Sequence, residues 1–376
     1  MPRAAFERTT AAPAPTAHGA LLEAGPIERI AVFRALQLGD LLCAVPALRA
    51  LRAAFPRARI TLIGLPWAAS FAARFRHYLD DFIAFPGAPG LPERRAGTHE
   101  ARAFRARARA AAFDLALQLH GDGRHSNAVV AGLGARIWAG FHPADDPAAD
   151  GGRCTVCPDG EPEARRLLRL LAFLGIPAQG EALEFPIAPE EWRAAGRVRV
   201  RFGLQLGRYV CLHPGGRAPA RRWPPEAFAR VGDRLAGRGF QIVLTGTAQE
   251  GALTRAVART MLAPSIDLAG EALTGVLAAL YAGARLLVCN DTAVSHFAAA
   301  LRVPSVVIFT GSAPARWAPL DGTLHRAVYR DVACRPCAHV ECPIGQPCAS
   351  GVSADDVMRE AERLLSGERR AVGSRA

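Results

Sequence analysis

From Ile27 onward, short apolar runs alternate with longer amphipathic stretches, the pattern of strands and helices taking turns around a parallel sheet. In the first half this predicts strand Arg29–Arg34, helix Asp40–Phe55, strand Arg59–Leu65, helix Trp67–Arg76 and strand Asp81–Phe85. An Arg-rich helix near Glu93–Ala112, strand Asp114–Leu119, helix His125–Leu133 and strand Ile137–Phe141 follow. A polar Gly/Pro/Asp-rich interval, His142 to Pro162, interrupts the alternation before a helix at Glu163–Leu174 and an extended, Pro-containing stretch to Pro189. The rhythm returns as strand Tyr209–His213, helix Pro225–Ala236, strand Gln241–Thr245, helix Gln249–Met261 and strand Ile266–Leu268. Helix Leu273–Ala282, strand Leu286–Cys289, helix Thr292–Leu301 and strand Ser305–Phe309 complete it. The expected class is α/β, with two doubly wound domains facing a central cleft. The divisions are a disordered tail over 1–26, an N-terminal domain over 27–188, a second domain over 189–350, and a helix and tail over 351–376, the domain boundary falling in residues 180–195.

Length agrees with two domains: 376 residues are enough for two independent cores. Runs such as Val276–Tyr281 and Val303–Phe309 stop well short of the ~18 apolar residues of a membrane span. All 46 basic residues are Arg, which excludes a Schiff-base lysine and a P-loop lysine. A phosphate would have to be held by guanidinium groups, backbone N–H groups or helix N-termini. The net charge of +12 favours an anionic partner. The nine cysteines follow a segment without an apolar secretory core, so free thiols in the cytoplasm are expected.

Open parallel sheets bind ligands outside the carboxyl ends of their strands, so the informative residues should directly follow strands. His213-Pro-Gly-Gly-Arg217, with Arg221 and Arg222 before Trp223-Pro-Pro, pairs a close backbone approach at Gly215 and Gly216 with cationic forks. It reads either as a diphosphate cradle or as a plain turn with solvated arginines. In Asn290-Asp-Thr-Ala-Val-Ser-His296, Asp291 or Thr292 could cap a helix, while Ser295 and His296 add polar groups suited to ribose or phosphate. In the first domain Arg34-Ala-Leu-Gln-Leu-Gly-Asp40 puts a carboxylate at a helix start, either as a cap or as a general base. No Asp-x-Asp pair, Gly-x-Ser-x-Gly or strand-following Gly-x-Gly-x-x-Gly is present, which lowers the case for a metal-held diphosphate, a hydrolase or a dehydrogenase.

At these residues the chain resembles glycosyltransferase family 9, the ADP-heptose:lipopolysaccharide heptosyltransferases. The carriers are Arg34-x5-Asp40-x5-Pro46-x-Leu48, His213-Pro-Gly-Gly-Arg217 with Arg221-x-Trp-Pro224, and Cys289-Asn-Asp-Thr-Ala-Val-Ser-His-Phe-Ala-Ala-Ala-Leu301 followed by Pro304-Ser-Val-Val-Ile-Phe-Thr-Gly311. The resemblance implies the GT-B architecture, with an activated sugar on the second domain and its acceptor on the first. It implies that Asp40 deprotonates the acceptor in an inverting, metal-independent transfer with no cofactor. Gly215, Gly216, Arg217 and Arg221 would hold the donor diphosphate, Asp291, Thr292 and His296 the nucleotide and sugar, and Glu250 the ribose. Arg34, Gln37 and Gly39 would flank the reacting centre. His120 and Arg124, in Leu119-His-Gly-Asp-Gly-Arg124, would face the acceptor or belong to an ordinary polar loop. The implied partners are ADP-heptose and a lipopolysaccharide-type acceptor at the inner membrane surface, with no nucleic acid. The implied location is the cytoplasm or the periphery of that membrane, and the oligomeric state stays open.

Three features stand outside this reading. Cys334-x2-Cys337-x4-Cys342-x5-Cys348 is either a zinc loop or a compact thiol-rich loop, and Cys154-Thr-Val-Cys157 is a second pair. Arg94, Arg95, Arg102, Arg105, Arg107 and Arg109 crowd one predicted helix, as a solvated face or an anionic-surface contact. The alternatives are a GT-B enzyme or epimerase using another nucleotide sugar, and a nucleic-acid binder with a zinc module.

Overall fold

The computed structural model describes residues 25–94, 97–146 and 152–372. Most of the predicted 1–26 tail and Arg95 therefore lie outside the described residues. The first half runs β1 (Arg29–Phe33), α1 (Leu38–Ala54), β2 (Arg59–Gly64), α2 (Ala69–Arg74), β3 (Asp81–Ala84), α3 (Thr98–Ala110), β4 (Leu115–Gln118), α4 (Ser126–Ala131), β5 (Ile137–His142), β6 (Arg153–Val156) and α5 (Glu163–Phe173). Next come α6 (Pro189–Phe202), β7 (Tyr209–His213), α7 (Pro225–Ala236), β8 (Gln241–Leu244), α8 (Gly251–Thr260), β9 (Ser265–Asp267), α9 (Thr274–Ala282) and β10 (Leu286–Asn290). The chain continues through α10 (Ala293–Ala300), β11 (Ser305–Phe309), α11 (Pro314–Trp317), β12 (His325–Tyr329), α12 (Pro347–Ser350) and α13 (Ala354–Val372).

The strands form two six-stranded sheets, ordered β3-β2-β1-β4-β5-β6 and β12-β11-β10-β7-β8-β9, and every pairing is parallel. In the first sheet Ile30 stands beside Ile60 and Leu115; in the second Leu287 stands beside Cys211 and Ser305. Both sheets reverse strand order beside their first strand, between β1 and β4 and between β7 and β10. That is where an open sheet of this kind forms its crevice.

Besides the one-turn helices α11 and α12, three elements differ from the sequence expectation. β6 falls inside the interval expected to be irregular; it is a four-residue edge strand with one exposed apolar side chain, Val156, and its periodicity is too brief to read. α6 opens the segment assigned to the second domain, where no helix was expected. Its arginines at 193, 197, 199 and 201 break up the apolar stripe, and what starts it is Pro189 with the Glu191 carboxylate accepting the Ala188 N–H at 2.9 Å. β12 is an edge strand added beyond β11.

α1 is apolar nearly all round, from Leu41 to Leu51, as expected of a helix covered on every side. One face packs on the first sheet and α5, while another meets α10 of the second domain. One apolar cluster therefore runs through both domains, from Leu48 and Leu167 to Leu280 and Phe297. Phe185 meets Phe297 edge-on across this seam, with ring centroids 4.7 Å apart. Among the described residues no helix is long and apolar enough to cross a membrane.

Candidate active site

The residues that leave β1 and β4 in one domain, and β7 and β10 in the other, converge on the seam. Arg34 follows β1 and is fully buried. Its Nε donates to the Asp40 carbonyl at 2.8 Å, one Nη donates to the Leu119 carbonyl, and the other pairs with Glu163 Oε1 at 2.9 Å. The guanidinium thus ties the ends of β1 and β4 to the start of α5.

Asp40 sits in the first turn of α1, and its carboxylate accepts the Gln37 N–H at 3.1 Å, so it does cap the helix. The capping does not turn it inward. Arg316 of the second domain and Asp291 are near enough to interact with it electrostatically. Burial raises its carboxyl above the usual carboxylate range, with Arg34 opposing. Gly39 explains how the two domains come this close: a Cβ there would lie 2.8 Å from His296 Cδ2 and 3.2 Å from the Ala293 backbone. Gln37 lies exposed at the mouth.

Sequence reasoning missed Glu163, the hub of this region, which is 1 % exposed. It accepts from Arg34 at 2.9 Å, from Arg166 at 2.9 and 2.7 Å, and across the seam from Arg316 at 3.0 Å. Burial alone would raise its carboxyl, but Arg34 and Arg166 hold it far below the ordinary range. Only the Glu163–Arg166 spacing was visible in sequence; Arg34 and Arg316 lie 129 and 153 positions away. Beside this hub lies a cavity of about 360 Å³ lined by Cys43, Glu163, His296, Arg316 and Trp317 among others.

On the second domain, Asn290 is the other residue the sequence reading undervalued. Fully buried at the end of β10, it donates to the Pro214 and Gly215 carbonyls at 2.9 and 3.0 Å and accepts the Trp223 N–H at 3.0 Å. It brackets the glycine turn. The turn differs from the expected array of open amides, because the Gly216 N–H donates to Glu250 Oε1 at 2.9 Å. Glu250 also accepts from the Thr247 N–H at 2.8 Å and its hydroxyl at 3.0 Å. It reaches the turn because Gly215 has no Cβ, which would collide with this carboxylate. His213, kept neutral by burial, lies behind it against Thr245 at 3.2 Å. Arg222 Nε holds the Gly216 carbonyl at 2.8 Å, Arg221 acts electrostatically on Asp291, and Arg217 is exposed.

The cap of α10 is Thr292, whose hydroxyl accepts the Val294 N–H at 3.3 Å. Asp291 is left to accept from Ser312 Oγ. Burial pushes its carboxyl up to about 6 against the pull of Ser312 and Arg221, and nearby Asp40 adds to the rise. His296 faces α1, with Nδ1 3.5 Å from Cys43 Sγ, and burial brings it down to about 4. His120 is also held neutral: burial and Arg34 lower it to about 4, its Nδ1 accepts the Ala35 N–H at 3.2 Å, and its ring stacks on Phe33. Arg124 lies further out, paired with Asp145 at 2.7 Å. The structure thus gathers Arg34, Gly39, Asp40, Asp291, Thr292 and His296 at the seam, with Gly215, Gly216, Arg221 and Glu250 alongside. His120 is part of the N-terminal wall, and Arg124 and Arg217 are at the surface. Among the described residues no group of three or more His, Cys, Asp or Glu is arranged to hold a metal ion; Cys334, Cys337, Cys342 and Cys348 are free thiols, as are Cys154 and Cys157.

Solved structures share this fold. The glycosyl transferase family 9 protein from Veillonella parvula superposes with a TM-score of 0.74 at 22 % identity, covering 90 % of this chain and 97 % of that one. E. coli ADP-heptose lps heptosyltransferase II gives 0.70 at 19 %, covering 91 % and 100 %. Among curated proteins, lipopolysaccharide heptosyltransferase 3 of Escherichia coli K12 is 29 % identical over 203 residues, 53 % of this chain and 58 % of that protein. Lipopolysaccharide heptosyltransferase 1 of Pseudomonas aeruginosa is 30 % identical over 156 residues, 40 % and 41 % of the two chains. The chain thus matches less than two thirds of the length of these curated relatives. The family described as glycosyltransferase family 9 (heptosyltransferase) matches residues 101–347, about two thirds of the sequence, and the chain belongs to that family.

Proposed function

We propose that the protein is an inverting, metal-independent glycosyltransferase that moves heptose from ADP-heptose to a lipopolysaccharide-type acceptor. The observation that carries this reading is the position of Asp40 beside Gly39, which packs against His296 and Ala293 of the second domain, with its backbone carbonyl held by Arg34 and its carboxylate near enough to Asp291 to act on it electrostatically. In the proposed reaction Asp40 takes the proton of an acceptor hydroxyl. The freed oxygen attacks the anomeric carbon from the side opposite the diphosphate, a C–O bond forms there, and the bond to the diphosphate oxygen breaks with its electron pair. Arg221 and Arg222, with the N-terminus of α10, supply positive potential for the departing charge. A nucleoside diphosphate so stabilised needs no acid, so one base suffices. Burial suits Asp40 to the task because it raises its basicity.

The names of relatives support the donor and acceptor classes. One solved structure is E. coli heptosyltransferase with ADP, with a TM-score of 0.63 at 19 % identity, and the curated relatives named above are lipopolysaccharide heptosyltransferases. Glu250, beside the glycine turn, suits ribose hydroxyls, since its carboxylate is an acceptor already oriented by Thr247. The test is Asp40→Asn, assayed for heptose transfer and, by calorimetry, for ADP binding. Transfer should fall at least ~1,000-fold while ADP affinity stays within a few-fold. Loss of both together would make Asp40 a structural cap and remove the base. ADP should also raise the melting temperature more than UDP or GDP at equal concentration.

A further inference from the structure

The face of the first sheet opposite α1 is covered by α3 and α4, and between them lies a concavity of about 1040 Å³. Its apolar lining includes Phe85, Leu91, Phe104 and Val129. Phe85 and Phe104 pack edge-on, with ring centroids 5.5 Å apart, and Phe85 is buried. Arg105 and Arg109 line one wall, and Arg102 precedes Arg105 by about one helical turn; all three are exposed. None of the three has an ion-pair partner among the described residues, since the one acid of α3, Glu100, is taken by Arg94 at 3.1 Å. His125 stands on the facing wall. The groove opens where Gly87–Pro92 follows β3 and His125 follows β4, the same carboxyl edge that carries Arg34 and Asp40.

We propose that this groove is a docking surface for a bilayer containing anionic lipids, with headgroup phosphates on Arg102, Arg105 and Arg109 and lipid hydrocarbon against the half-buried Phe104 and Val129. Charge complementarity and the apolar floor select this occupant together. A soluble anion would use the arginines but leave the floor wet. A single-stranded nucleic acid would need a series of exposed ring faces to stack on, and of the two phenyl rings lining the groove Phe85 is buried. Anionic bilayers attract unpaired basic side chains near their surface, and the attraction weakens with salt. Docking here would bring the edge of the domain that holds Asp40 to the membrane; that consequence rests on the proposed transferase, whereas the docking itself does not.

The test is partition of the full chain onto vesicles of phosphatidylcholine alone or with about 30 mol % phosphatidylglycerol. The wild type should bind the mixed vesicles and not the neutral ones, and the triple variant R102Q/R105Q/R109Q should bind roughly a hundredfold less, about fivefold per arginine. Ala128→Asp, an exposed change on the α4 wall, should also weaken binding with an unchanged melting temperature. A second basic surface serves as the control: R193Q/R197Q on α6, where both arginines are exposed, should leave partition within a few-fold. The proposal is overturned if the triple variant binds like wild type, if the α6 variant is the one that loses binding, or if a single-stranded oligonucleotide binds the groove more tightly than the mixed vesicles.

Discussion

Replacing Glu163 by Gln keeps the shape of the hub and removes its charge. Four hydrogen bonds converge on this carboxylate, from Arg34, Arg166 and Arg316. The side chains of Arg34 and Arg166 are 0 % and 1 % exposed, so in the variant two buried guanidinium groups lose the carboxylate they share, with little water to replace it. The Gln NH2 would itself point a donor at donors. Breaking a buried pair by removing one partner costs about 3–5 kcal/mol, most of it the penalty on the charge left behind. Arg316, 40 % exposed, adds at most about 1 kcal/mol. At roughly 2–4 °C per kcal/mol for a domain of this size, the first transition in a thermal melt at pH 7 should drop by about 6–24 °C. The pH dependence has a definite sign. Because Glu163 is held well below the usual carboxylate value when folded, its contribution is complete above the unfolded value of about 4.3 and is lost as pH falls toward the folded one. The gap between wild type and Glu163→Gln should therefore be widest near neutrality and close in acid. Adding Arg34→Met should recover part of the loss, since it removes one of the stranded charges. A loss below about 1 kcal/mol, or a gap independent of pH, would refute the account of Glu163 as a paired buried charge.

Two further predictions concern the seam. Transfer should fall on acidification along a limb lying above the ordinary Asp value of about 3.9, because burial raises Asp40 and the base acts in its ionised form. Asp40→Asn should bring the Asp291 carboxyl down from about 6, because it removes a negative charge that helps to raise it; an unmoved Asp291 in a carboxylate NMR titration would separate the two groups. Glu250→Gln should weaken ADP by about tenfold or more through loss of a charged acceptor. The same change should leave pyrophosphate binding undiminished, because the wild-type carboxylate already occupies the Gly216 N–H; paired titrations by calorimetry distinguish the two effects.

The sequence alone determined the alternation of strand and helix, because burial of a parallel sheet on both faces forces continuous apolar strands between amphipathic helices. It also marked the loops that follow β1, β7 and β10, since ligand chemistry in such sheets gathers at strand ends, and there Asp40, Gly215 and Asp291 are the residues that stand out. Edge strand β6 and arginine-rich α6 were not legible: the first is too short for a period, and the second is set by its capping and packing rather than by an apolar stripe. The tertiary structure alone decided what each marked residue does at the seam. It gave the cap of α10 to Thr292 and left Asp291 to Ser312, it filled the Gly216 amide with Glu250, and it turned His296 toward Cys43. Above all it made Glu163 the partner of Arg34 and Arg316, residues 129 and 153 positions away. Local pattern records which face of an element is buried. Which charges meet there depends on how the two sheets pack, and no short stretch of sequence carries that information.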